Sequence, residues 1–139
     1  FGYKFAHMDL DCEDFRSREK MWDQTRHALA FFRQHLPFQE MEPDNSLVAG
    51  APGAYAFARP GAIYAAYLPE GGQASLRLEE GNYTVRWYNP RAGGALAAGS
   101  VTEVRGPGPA SLGQPPADAG KDWAVLVQKA APAAVKNKR

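Results

Sequence analysis

Asp9, Asp11, Glu13 and Asp14 crowd a short segment near the amino terminus. Acids alternating at this spacing resemble the first ligands of a calcium loop, but such a loop also needs glycine sixth and a carboxylate twelfth, where this chain has Asp14 and Lys20. A solvated cluster near the positive end of a helix dipole explains the run better, and no metal is expected. His7 beside Asp9 has the residue types of a general acid–base pair, yet no nucleophile motif accompanies it, and a polar loop residue is the simpler reading. His27 and His35 stand eight residues apart on one helix, too far to share a metal ion. The lone cysteine, Cys12, excludes an internal disulfide and a multi-thiolate zinc site. Hydrolysis through the Asp9 to Asp14 cluster would need a second carboxylate placed on another element, and the sequence identifies none. No catalytic residue and no cofactor is therefore assigned.

Residues suited to holding a ligand gather instead around Arg86-Trp87-Tyr88-Asn89-Pro90-Arg91. An outward Tyr88, with Tyr64 or Tyr67 on a neighbouring strand, would offer a ring to stack on a sugar, and Arg86, Asn89 and Arg91 would offer hydrogen bonds. The same tyrosines could equally serve as cross-strand or interface packing.

A strand positions this group. Tyr83, Val85 and Trp87 alternate with Thr84, Arg86 and Tyr88, the period of a strand with one buried face and one wet face. Asn89-Pro90 ends it, because proline cannot donate to a ladder. Similar signals recur along the chain. Residues 54–59 and 62–68 read as a hairpin about Pro60-Gly61, and residues 74–78 as a strand with Leu76 and Leu78 facing in. Residues 95–98 are a weak strand and 101–105 a better one, whereas 106–121, rich in proline and glycine, read as a long loop. Residues 122–128 close the set, with Trp123, Val125 and Val127 on one face and Ala124 and Leu126 on the other. Six to seven short strands without an intervening helix call for a mainly β fold, a small antiparallel β-sandwich over residues 54–128. So small a layer pair gains from docking on a neighbour.

Ahead of the sandwich, Met21, Trp22, Thr25, Ala28, Leu29 and Phe32 recur at spacings of three and four. They define the apolar face of one long helix over residues 18–35, with Ser17 as its N-cap and Pro37 as its stop. Residues 37–53 form a connector with three prolines and no sustained period. From residue 129 on, the Ala- and Lys-rich end reads as a disordered tail.

With 139 residues, 45% of them apolar, and a net charge of +1, the chain suits one domain or a domain with an appendage. It lacks the clustered basic stripe that nucleic acid requires, and its apolar runs fall short of the ~20 residues that span a membrane. It opens on Phe-Gly-Tyr-Lys-Phe without the regions of a signal peptide, so any export signal belongs to a longer precursor.

Several of these residues together resemble a known arrangement. They are Asp14-Phe15-Arg16-Ser17-Arg18 followed by Trp22, the hairpin over residues 57–68, the Arg86 to Arg91 motif, Gly93-Gly94, Pro115-Pro116 and Asp122-Trp123. They resemble the carboxy-terminal part of bacterial secreted proteins in which a glycoside-hydrolase-type (β/α)8 barrel precedes a small β-sandwich, the sandwich being labelled a collagen-binding domain of a collagenase. The resemblance covers roughly residues 1 to 128. It implies that residues 1–36 are the last strand, loop and helix of such a barrel, and that the catalytic carboxylates lie mostly in the missing part of it. It further implies a secreted or periplasmic location and an accessory role beside that barrel, with polysaccharide, or collagen or another protein, as the ligand.

Overall fold

The computed structural model describes residues 19–131; Ser17, His7, Cys12 and the Asp9 to Asp14 cluster lie outside the described residues. One helix, α1 (Glu19–His35), is followed by seven strands: β1 (Glu42–Pro43), β2 (Val48–Ala49), β3 (Tyr55–Arg59), β4 (Ile63–Leu68), β5 (Ser75–Tyr88), β6 (Glu103–Ser111) and β7 (Trp123–Lys129). Their ladders are antiparallel and form one sheet in the order β1-β3-β4-β7-β5-β2, with β6 on the remaining edge of β5. The mainly β architecture expected from the sequence is the observed one.

The sheet closes over itself because β5 is long. Its first residues pair with β2 at Ser75 and Leu76, and its last with β7 from Tyr83 to Tyr88. Between them the register against β6 shifts between Leu78 and Gly81, a bulge that bends the strand from one layer into the other. Gly106 faces this bulge, where a Cβ would come within 1.9 Å of the Glu79 carbonyl oxygen, so only glycine fits. The two strands expected at 74–78 and 82–88 are thus one continuous element.

Between the layers lies the principal core. Tyr83, Val85 and Trp87 are fully buried, as their alternation predicts, and join Leu68, Leu76, Leu112, Val125 and Val127. Trp87 meets Trp123 edge to face at 6.2 Å, and Tyr64 meets Tyr83 likewise at 5.7 Å. Fully burying each such side chain contributes roughly 1.5–3 kcal/mol. A second cluster lies on the outer face of β3, β4, β7 and β5, where Phe31 of α1 and Leu36 just beyond it cover Ile63, Ala65, Ala124 and Leu126. Covered on both faces, β4 and β7 read as near-continuous apolar runs.

Four expectations are corrected. Residues 106–111, read as loop, continue β6 to Ser111. The hydrogen bonds from Leu112 N to the Ala74 carbonyl and from Val85 N to the Thr102 carbonyl fix which β6 residues face β5. Pro107 and Pro109 fall on the alternate, outward-facing positions, so their missing N–H groups cost the ladder nothing. The weak strand at 95–98 shrinks to a single bridge between Ala97 and Trp87. Within residues 37–53, one turn of 3-10 helix precedes β1 and a second separates β1 from β2, and both strands pair with the sheet.

The fourth correction concerns α1. Its sheet-facing anchor is Phe31, whereas Trp22 and Leu29, expected on the buried face, are 57% and 50% exposed and Phe32 remains partly exposed. The spacing rule finds an apolar stripe but not the direction in which it points, and α1 carries two.

Candidate functional site

The residues expected to form a ligand platform part company in the structure. Tyr88, placed on the wet face by alternation, is only 3% exposed, because α1 covers that end of the sheet. Its ring stacks on Phe31 at 4.9 Å, its hydroxyl donates to the His27 carbonyl at 2.8 Å, and burial pushes its pKa up. Tyr64 is 1% exposed, and its hydroxyl oxygen accepts from Gly61 N and Glu79 N at 2.8 and 3.1 Å. Neither ring has a face to offer a ligand. Asn89 turns inward upon its own backbone, its Oδ1 accepting from Arg91 N at 2.9 Å and Ala92 N at 3.2 Å, an Asx turn that re-aims the chain after β5. Arg86 is exposed on the outer face of β5.

Arg91 is the member of that set placed in a polar cluster. Its Nε lies 3.0 Å from Asp122 Oδ1 and its Nη1 3.6 Å from Asp118 Oδ2, while the guanidinium sits 5.2 Å above the Trp123 ring. The other oxygen of Asp122 accepts from the Tyr67 hydroxyl at 3.1 Å. Burial, the Asp122 charge and this hydrogen bond together push the Tyr67 pKa up to about 12, so the phenol stays a donor across the ordinary pH range. Opposite Tyr67 in the β3–β4 register stands Tyr55. These two rings are 38% and 58% exposed and form the aromatic surface of the sheet that α1 leaves uncovered. Tyr55 was read only as a strand residue. The signal was nonetheless available, since Tyr55 and Tyr67 are equidistant from Gly61 and a hairpin about Pro60-Gly61 must bring them side by side.

A second feature lies on the far side of α1. Trp22, Arg26, Leu29, Ala30 and Arg33 line a shallow groove of about 500 Å³. Arg26 is ion-paired with Asp23, one turn away. The helix is held at its angle by a close approach: a Cβ on Gly93, whose φ is +68°, would lie 2.6 Å from the His27 ring. Among the described residues, no three His, Cys, Asp or Glu side chains cluster as a metal ion would require, and no helix is long and apolar enough to cross a membrane.

Residues 43–128 match the family described as "Putative collagen-binding domain of a collagenase". The chain belongs to this collagen-binding-type family. The domain so defined takes in all seven strands except the first residue of β1 and the last of β7. Two solved structures share the fold. One, a glycoside hydrolase, superposes with a TM-score of 0.67 at 19% identity, over 87% of this chain and 28% of its own. The other, a glycoside hydrolase family 5 protein from Bacteroides vulgatus, gives 0.62 at 21% identity, over 79% of this chain and 24% of its own. The chain thus spans about a quarter of the length of these glycoside hydrolases. An overlap of 87% also exceeds residues 43–128 and runs into the amino-terminal residues that hold α1. No curated protein matches the chain.

Proposed function

We propose that this collagen-binding-type domain is a non-catalytic accessory module of a larger glycoside-hydrolase-type protein, packed against that protein's main domain through the outer face of α1. The observation that carries the reading is the second apolar stripe. Trp22 and Leu29 are half exposed on the side of the helix turned away from the sheet, and the fold similarity to much longer hydrolases includes the region of this helix. A large apolar helix face left in water is costly, and a covering domain removes that cost. Arg33, at the end of the groove, fits a partner surface that offers carboxylates or helix C-terminal carbonyls.

The alternative is capture of collagen or a similar extended chain. Strand addition would need an open edge. Against it stand two edge strands of two residues each, one with Pro43, and a third edge, β6, whose outward positions include Pro107 and Pro109.

Titrating this chain with the separately produced main domain of its parent protein tests the docking. Association that blue-shifts Trp22 fluorescence and weakens at least tenfold in Leu29→Arg is the expected outcome. No association, or association indifferent to Leu29→Arg, overturns the reading.

A further inference from the structure

We infer that Tyr55, Tyr67 and Asp122 form a binding site for a neutral saccharide, with the two phenol rings as a stacking floor and the Asp122 carboxylate as the acceptor for ring hydroxyls. This deepens the accessory reading by naming a ligand class, and it rests on that reading only in treating the site as free of the larger domain.

The geometry comes first. Tyr55 and Tyr67 are directly opposed across β3 and β4, which sets their Cβ atoms about 4.5–5.5 Å apart, and both are solvent-accessible. Opposed across one ladder, the two rings stand on the same face of the sheet. The floor is held from below, since Ala56 and Ala66, the next residues along each strand, are buried in the core between the layers.

The polar edge is equally fixed. Asp122 accepts the Tyr67 hydroxyl on one oxygen and forms an ion pair with the Arg91 guanidinium through the other, so the carboxylate is oriented before any ligand arrives. Each carboxylate oxygen keeps a further lone pair, and the side chain is about a quarter exposed. Tyr67 has spent its proton on Asp122, so the edge beside this ring meets a ligand with carboxylate acceptors. A ligand must therefore bring hydrogen-bond donors and an apolar face together. Sugar rings do so, with axial C–H groups on one face and hydroxyls around the rim. A proline-rich strand does the reverse, presenting carbonyl acceptors and few N–H groups, and it brings Asp122 little to accept. A polyanion would meet Asp118 and Asp122 directly.

Affinity electrophoresis of this chain in gels containing glucan, xylan, mannan, polygalacturonate or no polymer, with a triple-helical Pro-Hyp-Gly peptide assayed in parallel, tests the site. Retardation by at least one neutral polysaccharide is expected. It should weaken about tenfold in Tyr55→Ala and in Asp122→Asn and be retained in Tyr55→Phe, each variant keeping wild-type circular dichroism. No retardation by any neutral polymer overturns the inference, as does retardation unchanged in Tyr55→Ala. Binding of the collagen-like peptide that depends on Tyr55 also overturns it. Because Trp22 and Leu29 lie on a different surface, Leu29→Arg should leave sugar binding unchanged, so that failure here and failure of the docking are told apart.

Discussion

The ring of Phe31 lies against that of Tyr88 with centroids 4.9 Å apart and planes 30° from parallel, a contact that joins the helix to β5. Around it the Tyr88 hydroxyl holds the backbone of α1 at His27. Removing the ring should therefore act on the helix more than on the sandwich. Phe31→Ala is expected to cost ~3 kcal/mol, and Tyr88→Phe, which deletes only the hydrogen bond, ~1 kcal/mol. Urea unfolding followed by circular dichroism measures both, and a Tyr88→Phe loss as large as that of Phe31→Ala would contradict the assignment.

Gly93 and Gly94 separate two kinds of backbone cost. Both have positive φ, +68° and +95°, but a Cβ would strike His27 only from Gly93. Gly94→Ala should cost ~1–2 kcal/mol through backbone strain alone. Gly93→Ala should cost measurably more and also loosen α1, seen as faster amide exchange in residues 24–31.

Alkaline pH should unfold the domain through its tyrosines. Tyr67 and Tyr83 are both held near 12, in each case chiefly by burial, against an ordinary value of 10. A raised pKa in the folded state means that the stabilisation is complete below pH 10, where both states are protonated, and is lost as pH climbs from 10 through 12. The urea midpoint should stay flat to about pH 9 and then fall. Tyr67→Phe should flatten part of that fall, whereas a midpoint that rises above pH 10 would contradict the sign.

Arg91 acts on two carboxylates and an indole at once. Arg91→Lys keeps the charge but loses the planar fork and the stacking, so it should destabilise by ~1–2 kcal/mol and shift Trp123 fluorescence. A lysine variant with wild-type stability would show that charge alone is what the site needs.

Pro109 guards an edge. Pro109→Val restores an outward N–H on β6, and the variant should self-associate at concentrations where the parent chain stays monodisperse in gel filtration.

How far the sequence could be read follows from what alternation does and does not encode. The burial of Tyr83, Val85 and Trp87, the pairing of β3 with β4 and the two faces of β7 were all legible, because a period of two assigns sides. Alternation cannot say what covers the other side, which is why Tyr88 reads as exposed and is buried under α1. The same limit hid Phe31, since two apolar stripes on one helix give no clue to which meets the sheet. Prolines in β6 concealed a strand because the penalty for a missing N–H depends on its direction, a property of register rather than composition. At the candidate site, Arg91 and Tyr67 were recognised by type, but their shared partner Asp122 was not, for it lies 55 residues from Tyr67 in the chain.

The bent strand from Ser75 to Tyr88 belongs to both halves of the sheet. A seam common to two panels allows neither to open alone, so loss of hydrogen bonds in β2 and β6 should spread at once to β7 and β4. Under denaturant the strands should come apart in a single step, with α1 as the only piece able to lift away beforehand.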